Sequence, residues 1–275
     1  MMRLYLLPIS TRRTLLYAQR LQQQPGTAAA ASSTAGYVDR AVEVAARKWA
    51  QWESKESGWQ RKVTEYGNHA LRRIPYEEWG LKSVPPLSSH RRQIESTGQD
   101  KVQLVFPGGV IPSTKAGPLA LKLATEREAL HRKRLMWCVV AMPFTIPVGI
   151  LPVVPNLPFF YLVYRSWSHW RAIQGGKHIQ WLVQNNLLID SPSPQLDGLY
   201  PEKPPQHDDS PDAPETVLLK QDDVPSFSKT LDMPVLSVEL ERAIWQVEKT
   251  VEGGSGKKAG EEKSGNGTKK DGKQA

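Results

Sequence analysis

The sequence predicts a mainly α-helical membrane protein with one proline-broken transmembrane or hairpin segment and a disordered C-terminal region. Three observations carry this prediction. Residues 135–164 contain no charged side chain, residues 38–70 place apolar side chains at heptad spacing, and residues 190–235 are rich in proline and aspartate. The first pattern is typical of a bilayer-crossing segment, the second of helices packed lengthwise, and the third of disorder.

The charge distribution favours a membrane surface over nucleic acid as a partner. The chain of 275 residues carries a net charge of +8, which is concentrated in its two ends, while residues 190–235 are strongly acidic. Such an uneven distribution argues against a uniformly basic nucleic-acid interface and suits basic ends beside an anionic bilayer. The single cysteine, Cys138, excludes an intramolecular disulfide framework.

Residues 1–36 form a basic N-terminal segment that is a candidate for mitochondrial targeting. Arginines interleave with leucines there, and no acidic residue occurs before Asp39. Because Pro8 interrupts an early helix, the amphipathic helix is expected to begin near Thr11. A surface helix of the mature protein remains the alternative.

Residues 37–134 are predicted to form a helical domain. The apolar positions between residues 38 and 70 recur in steps of four and three, which indicates a helix packed in a core or a face that docks a partner. Prolines and a glycine then predict a loop over residues 75–118. Within it, residues 102–106 form a short strand that is too isolated to imply a sheet.

The segment over residues 135–172 is predicted to be the membrane segment with its interface. A helical crossing needs about 20 mostly apolar residues, and the uncharged stretch is longer than this. Closely spaced prolines predict a helical break over residues 152–158, which permits either a kinked crossing or a shallow hairpin that returns to the same side. A buried apolar hairpin in a soluble protein is the alternative.

The flanks of this segment combine tryptophan with arginine, as membrane interfaces do, because the rings prefer the headgroup zone and guanidinium groups reach phosphates. We therefore expect a bilayer with anionic lipids as a partner. The candidate interface or functional residues are Arg132, Lys133, Arg134, Pro152, Pro155, Asn156, Pro158, Tyr164, Arg165, Trp167, His169, Trp170 and Arg171.

Four further segments complete the predicted organisation. Residues 173–189 are predicted to form a short amphipathic helix and residues 190–235 an acidic, proline-rich linker. An apolar stripe at helical spacing predicts an amphipathic helix over residues 236–252. Residues 253–275 form a low-complexity basic tail that is expected to be disordered.

No pattern of catalytic residues emerges from the sequence. The six histidines show no metal-ligand spacing among themselves or with Cys138, and neither a nucleophile elbow nor a nucleotide-binding fingerprint is present. We therefore expect a protein that is not an enzyme and that uses no cofactor, no metal and no nucleic acid.

Three blocks of the sequence resemble the fungal mitochondrial K+/H+ exchange-related family. They are RLYLLPISTRRTLLY (3–17), WQRKVTEYGNHALRRIPYEEWGLKSVPP (59–86) and PVVPNLPFFYLVYRSWSHWRA (152–172). The resemblance implies an inner-membrane component or regulator of potassium/proton exchange that supports matrix cation and volume homeostasis. It brings no established functional residues with it.

Two aspects of this function remain open from the sequence. A membrane-anchored mitochondrial scaffold or assembly factor without transport activity of its own is the alternative to an exchange component. Expected protein partners are further copies of the chain or other inner-membrane proteins.

Overall fold

The computed structural model divides the chain into two compact units. One unit comprises Met1 and Arg20–Pro75, and the other comprises Met2–Gln19 and Tyr76–Ala275. The described residues are 2–20, 47, 51–52, 54, 57–58, 61–66, 73–97, 101–147, 156–201 and 215–265. Most of the heptad-spaced stretch 38–70 therefore lies outside the described residues, although residues 61–66 are helical.

The larger unit contains a four-stranded sheet, so the prediction of a mainly α-helical membrane protein is wrong. Its strands are β1 (Met2–Pro8), β2 (Thr14–Arg20), β3 (Val102–Phe106) and β4 (Leu188–Pro192), in the order β2-β1-β3-β4. β3 pairs in parallel with both β1 and β4. Helices and strands therefore share one mixed α/β core.

The N-terminal residues form two strands of this sheet, where we expected an amphipathic helix from Thr11. Residues Leu4 to Leu7 are all buried, so both faces of β1 are covered, as is usual for strands in parallel pairing. A turn joins β1 to β2, and in it the Ile9 N–H donates to the Arg13 carbonyl at 2.8 Å. Two apolar runs on either side of a polar turn form this hairpin. The runs are rich in leucine and arginine, which have no marked preference for strands, so residue propensity alone did not predict them.

Eight helices accompany the sheet in the described part of this unit, and several contribute to its apolar core. Those described are α1 (Tyr76–Ser83), α2 (Ser89–Ser96), α3 (Ser113–Thr125), α4 (Glu128–Thr145), α5 (Leu157–Gln184), α6 (Pro194–Asp197), α7 (Val224–Thr230) and α8 (Pro234–Gly265).

Two segments that we predicted to be irregular are ordered in large part. The predicted loop 75–118 contains α1, α2, β3 and the start of α3, and its prolines lie mostly at element ends, where they are compatible with order. The predicted linker 190–235 contains most of β4, together with α6 and α7, although residues 202–214 lie outside the described part. Composition suggested disorder, but pairing of β4 with β3 overrides it.

α4 and α5 form an antiparallel helical hairpin. At the end where the two helices are connected, the Asn156 side-chain amide donates to the Thr145 carbonyl at 2.6 Å. Near the start of α4, the ring of His131 lies beside that of His169 on α5. The predicted helical break over 152–158 ends where α5 begins, at Leu157, and residues 148–155 lie outside the described part. The amphipathic helix predicted for 173–189 is mainly the last part of α5.

No helix among the described residues has the length and apolar character that crossing a bilayer requires. The predicted transmembrane segment is therefore not supported. α4 begins with charged residues, and α5 ends among polar and buried ones, so neither helix keeps an uncharged run of sufficient length.

Glycines let α5 approach its neighbours closely. A Cβ atom on Gly175 would collide with the Leu81 carbonyl of α1, and one on Gly176 would lie 2.7 Å from the Ala124 carbonyl oxygen of α3. Both contacts are with backbone, which cannot move aside as a side-chain end can. The position of α5 therefore depends on these two residues having no side chain.

We expect Gly175→Ala to destabilise the fold by about 1–3 kcal/mol, because the methyl group forces α1 and α5 apart. Gly117→Ala is the matched control in α3, where a Cβ atom meets nothing within 4 Å. It should change the free energy of unfolding by less than about 1 kcal/mol, because the helix propensity of alanine opposes the restriction that the following Pro118 places on a residue with a Cβ atom. Urea unfolding of both variants checks the prediction, and equal effects would contradict it.

Candidate functional site

A group of buried polar side chains lies where α1, α4 and α5 meet. This buried cluster consists of Glu78 from α1, His131 from α4, and Arg165, Ser168 and His169 from α5. Ionisable side chains are rarely so deeply buried unless they pair with one another. The cluster is therefore the strongest candidate for a functional site among the described residues.

Glu78 and Arg165 form a bidentate ion pair at the centre of the cluster. The two guanidinium nitrogens of Arg165 donate to Glu78 Oε1 at 2.8 Å and Oε2 at 3.2 Å. The Ser168 hydroxyl also donates to Glu78 Oε1. Because the carboxylate is paired with a guanidinium and a hydroxyl, its burial is compensated.

The two histidines extend this network to α4. Arg165 Nη2 lies 3.1 Å from His169 Nε2, and His169 Nδ1 lies 3.1 Å from His131 Nδ1. A guanidinium can only donate, so the neutral His169 ring carries its proton on Nδ1 and donates it to His131. The His131 proton is then on Nε2, which is buried and has no hydrogen-bond partner among the described residues.

The surroundings keep both histidines neutral and Glu78 ionised near neutral pH. Burial is the largest influence on each ring, and it lowers the pKa of His131 and that of His169, the latter to about 4. Burial alone would raise the pKa of Glu78, but the Ser168 hydrogen bond and the Arg165 charge outweigh it and lower that pKa. The cluster is thus a neutral unit with one internal ion pair.

Lys82 is a second buried ionisable group on α1. Its Nζ lies 3.1 Å from the centroid of the Trp79 ring and 3.4 Å from the Tyr164 hydroxyl. Burial lowers the pKa of Lys82 to about 7, although the nearby carboxylates Glu78 and Glu239 favour the charged form. The aromatic rings therefore surround an amine that changes its charge near neutral pH.

The far half of the helical hairpin has the opposite character. We call residues 135–147 and 156–164 the hairpin tip, and none of its described side chains is buried. Large apolar side chains are exposed on both helices of the tip. They are Met136, Trp137, Val139, Val140, Phe144, Ile146, Phe160, Tyr161 and Val163. An apolar patch of this kind usually marks a binding surface.

The predicted site residues separate into two groups. Arg165 and His169 belong to the buried cluster and not to a headgroup-facing surface, and Tyr164 contacts Lys82. Trp167, Trp170 and the basic residues before the tip (Arg132, Lys133 and Arg134) are exposed, and Arg132 pairs with Glu128 at 2.5 Å.

The remaining predicted residues support the two helices. Arg171 donates to the Lys82 carbonyl at 3.2 Å, Asn156 accepts from the Phe159 N–H at 3.1 Å, and Pro158 lies in the first turn of α5. Pro152 and Pro155 lie outside the described residues.

Four buried residues of this region were not predicted from the sequence: Glu78, His131, Ser168 and Lys82. Glu78 is 87 residues from Arg165, and His131 is 38 residues from His169, so no local spacing joins them. A prediction that the two histidines are neighbours would have required the antiparallel register of the two helices.

Comparison with known proteins now identifies the family. A family model described as mitochondrial K+-H+ exchange-related matches residues 3–183. The chain belongs to this family. The resemblance seen in the sequence is therefore confirmed, and membership relates the chain to mitochondria and to potassium/proton exchange. The matched range includes the sheet strands β1 to β3, the buried cluster and the hairpin tip.

Two fungal relatives are uncharacterized proteins. The chain is 28% identical over 137 residues to one from Schizosaccharomyces pombe, an alignment that covers 50% of this chain and 58% of that protein. It is 25% identical over 239 residues to one from Saccharomyces cerevisiae, which covers 77% of this chain and 74% of that protein. No solved structure matches the chain.

We expect Arg165→Met to cost about 3–5 kcal/mol of unfolding free energy, because it leaves the Glu78 carboxylate buried without its cation. The double variant Glu78→Gln/Arg165→Met removes both charges and should be less destabilised than the sum of the two single variants by at least about 1 kcal/mol. Urea unfolding of the four proteins in this cycle measures the coupling. Strict additivity would show that the pair does not act as a unit.

The stability of the wild-type protein should rise between pH 7 and pH 10 relative to Lys82→Met. In this window the unfolded chain protonates Lys82 while the folded chain does not, because its folded pKa is about 7 and its ordinary value is 10.5. Linkage gives a slope of up to about 1.4 kcal/mol per pH unit for such a group. Parallel pH–stability curves for the two proteins would contradict this.

Proposed function

We propose that this protein is a component or regulator of potassium/proton exchange at the inner mitochondrial membrane, and that its hairpin tip docks on an anionic lipid surface. The single observation that carries the docking is the exposure of large apolar side chains on both helices of the tip. Exposing Trp137 and Phe144 to water is costly, and transfer to an acyl environment recovers about 1.5–3 kcal/mol for each large side chain.

Charge complementarity favours lipid over a protein as the occupant of this surface. Between Glu128 and Asp190 the sequence contains no acidic residue, while Arg132, Lys133 and Arg134 directly precede the tip. Each such cation near an anionic membrane contributes about 1 kcal/mol of attraction. Exposed tryptophans at positions 167 and 170 suit the headgroup zone.

The composition of the tip favours a regulatory or structural part in exchange. Its described residues contain no ionisable group that resembles the carboxylates and histidines of proton carriers in membranes. The charged groups of the helical hairpin instead lie outside the tip, and Arg165 among them belongs to the buried cluster. The protein would thus act on exchange through its association with the membrane and with other inner-membrane proteins.

Vesicle binding tests the docking directly. Full-length protein should co-sediment with vesicles of phosphatidylcholine and cardiolipin more strongly than with phosphatidylcholine alone. The double variant Trp137→Gln/Phe144→Ser should bind at least about tenfold more weakly, because it removes two large apolar contacts. Trp245→Gln is the matched control, since this tryptophan is exposed on α8.

Two results of this assay would contradict the docking. One is equal binding of the wild-type protein and the tip variant. The other is an equal loss of binding in Trp245→Gln, which would show that any exposed tryptophan has the same effect.

Swelling of mitochondria in potassium acetate tests the functional part of the proposal. Fungal mitochondria that lack the protein should swell more slowly, wild-type protein should restore the rate, and the tip variant should not. Normal swelling without the protein would refute a role in exchange and favour the scaffold alternative. Flux through liposomes that contain the purified protein alone would show that it carries ions itself.

A further inference from the structure

Three potential metal ligands converge inside the buried cluster. His131 Nδ1 and His169 Nδ1 are 3.1 Å apart, and Glu78 Oε2 is 3.6 Å from His169 Nδ1. All three side chains are buried, and their ligand atoms lie within 4.8 Å of one another. Tetrahedral coordination with bonds of about 2.0–2.1 Å spaces its ligand atoms about 3.3 Å apart. The three atoms therefore need little movement to surround one ion.

The donor set selects the class of ion. Two imidazole nitrogens and one carboxylate oxygen suit Zn²⁺ and similar transition metals, whereas hard cations prefer oxygen ligands throughout. Potassium is thus a poor candidate for this position. Three protein ligands leave a fourth position for water, which is the arrangement found in open zinc sites.

The tautomers of the two rings are nearly those that an ion requires. His131 already directs the lone pair of Nδ1 towards His169, since its proton is on Nε2. His169 needs its proton moved from Nδ1 to Nε2, where Arg165 now donates.

Arg165 is the resident counter-cation of this group. It neutralises Glu78, and a divalent ion at the same carboxylate would leave excess buried positive charge if the guanidinium stayed. The Arg165 side chain is 10% exposed, so it has access to solvent at the edge of the cluster. An entering ion can therefore displace it outward.

We propose that Glu78, His131 and His169 form a binding site for a zinc-class divalent metal ion, which Arg165 closes in the metal-free protein. The site would join α1, α4 and α5 at one point. It does not depend on the proposed membrane docking, because none of its ligands belongs to the hairpin tip.

Equilibrium dialysis of the full-length protein against buffered Zn²⁺, with metal analysis, tests the site. The wild-type protein should bind one equivalent of Zn²⁺. His131→Gln or His169→Gln should lower the affinity by more than about 100-fold, which exceeds the 10- to 100-fold loss that is usual when a residue that only hydrogen-bonds a metal ligand is replaced. His178→Gln is the matched control, because this buried histidine bonds Glu95 and the Pro85 carbonyl away from the cluster. Arg165→Gln should bind at least about tenfold more tightly, because it removes the competitor.

X-ray absorption of the zinc-loaded wild-type protein provides a readout that needs no variant. Two imidazole ligands and a light-atom remainder are expected, and an all-oxygen environment would overturn the proposal. Binding of less than one equivalent by both the wild-type protein and Arg165→Gln would also overturn it, as would an equal loss in His131→Gln and His178→Gln. Circular dichroism of each variant establishes that it is folded before its affinity is compared.

Discussion

The ion pair between Glu78 and Arg165 is the constraint on which the helical hairpin depends. A buried carboxylate must keep its cation, since separating the two in an apolar interior costs several kcal/mol. The pair therefore fixes one side of α5 against α1. One turn further along α5, Ser168 donates to Glu78 and His169 contacts the Arg165 guanidinium. These contacts leave α5 little freedom to rotate about its axis.

The same network extends to α4 through the two histidines. His131 is the one buried residue of α4, and its ring contacts His169, while Glu128 at the start of α4 accepts a hydrogen bond from the Gln180 side chain at 2.9 Å. Glycines contribute on the opposite side of the cluster, where α5 approaches the backbones of α1 and α3. Close backbone packing and buried charge pairing thus act together to position the helical hairpin.

The sequence predicted structure that depends on neighbouring residues better than structure that depends on pairing between distant segments. The uncharged stretch and its prolines predicted helices on both sides of a break, and α4 and α5 flank residues 148–155, but the predicted bilayer crossing is not supported. The sheet was missed because β3 pairs with strands about 100 residues before it and 86 residues after it. Parallel pairing across such separations leaves no periodic signal in any single window.

The environment of two predicted site residues, Arg165 and His169, differs from the expected one for a related reason. Arg165 and His169 stand close to the exposed Trp167 and Trp170 in the sequence, so their local context predicted a headgroup-facing surface. Their helical spacing of four placed both on one face, but the sequence did not show that Glu78 of α1 covers that face. A charged residue beside an apolar segment can face lipid headgroups or a buried partner, and only the tertiary contacts distinguish these two environments.

The base and the tip of the helical hairpin differ in burial and in charge. Its base contains the buried ion pair of Glu78 and Arg165 with its hydrogen-bonded neighbours, and its tip exposes apolar side chains without a charged residue. From His131 to Thr145 the helix extends about 20 Å, so a change of about 10° in its tilt at the base displaces the tip by about 4 Å. Pairing at Glu78 thus lies at the base of a helix whose other end carries the apolar surface, and the half-buried residues of α4 together with the hydrogen bond between Gln180 and Glu128 also hold that helix against α5.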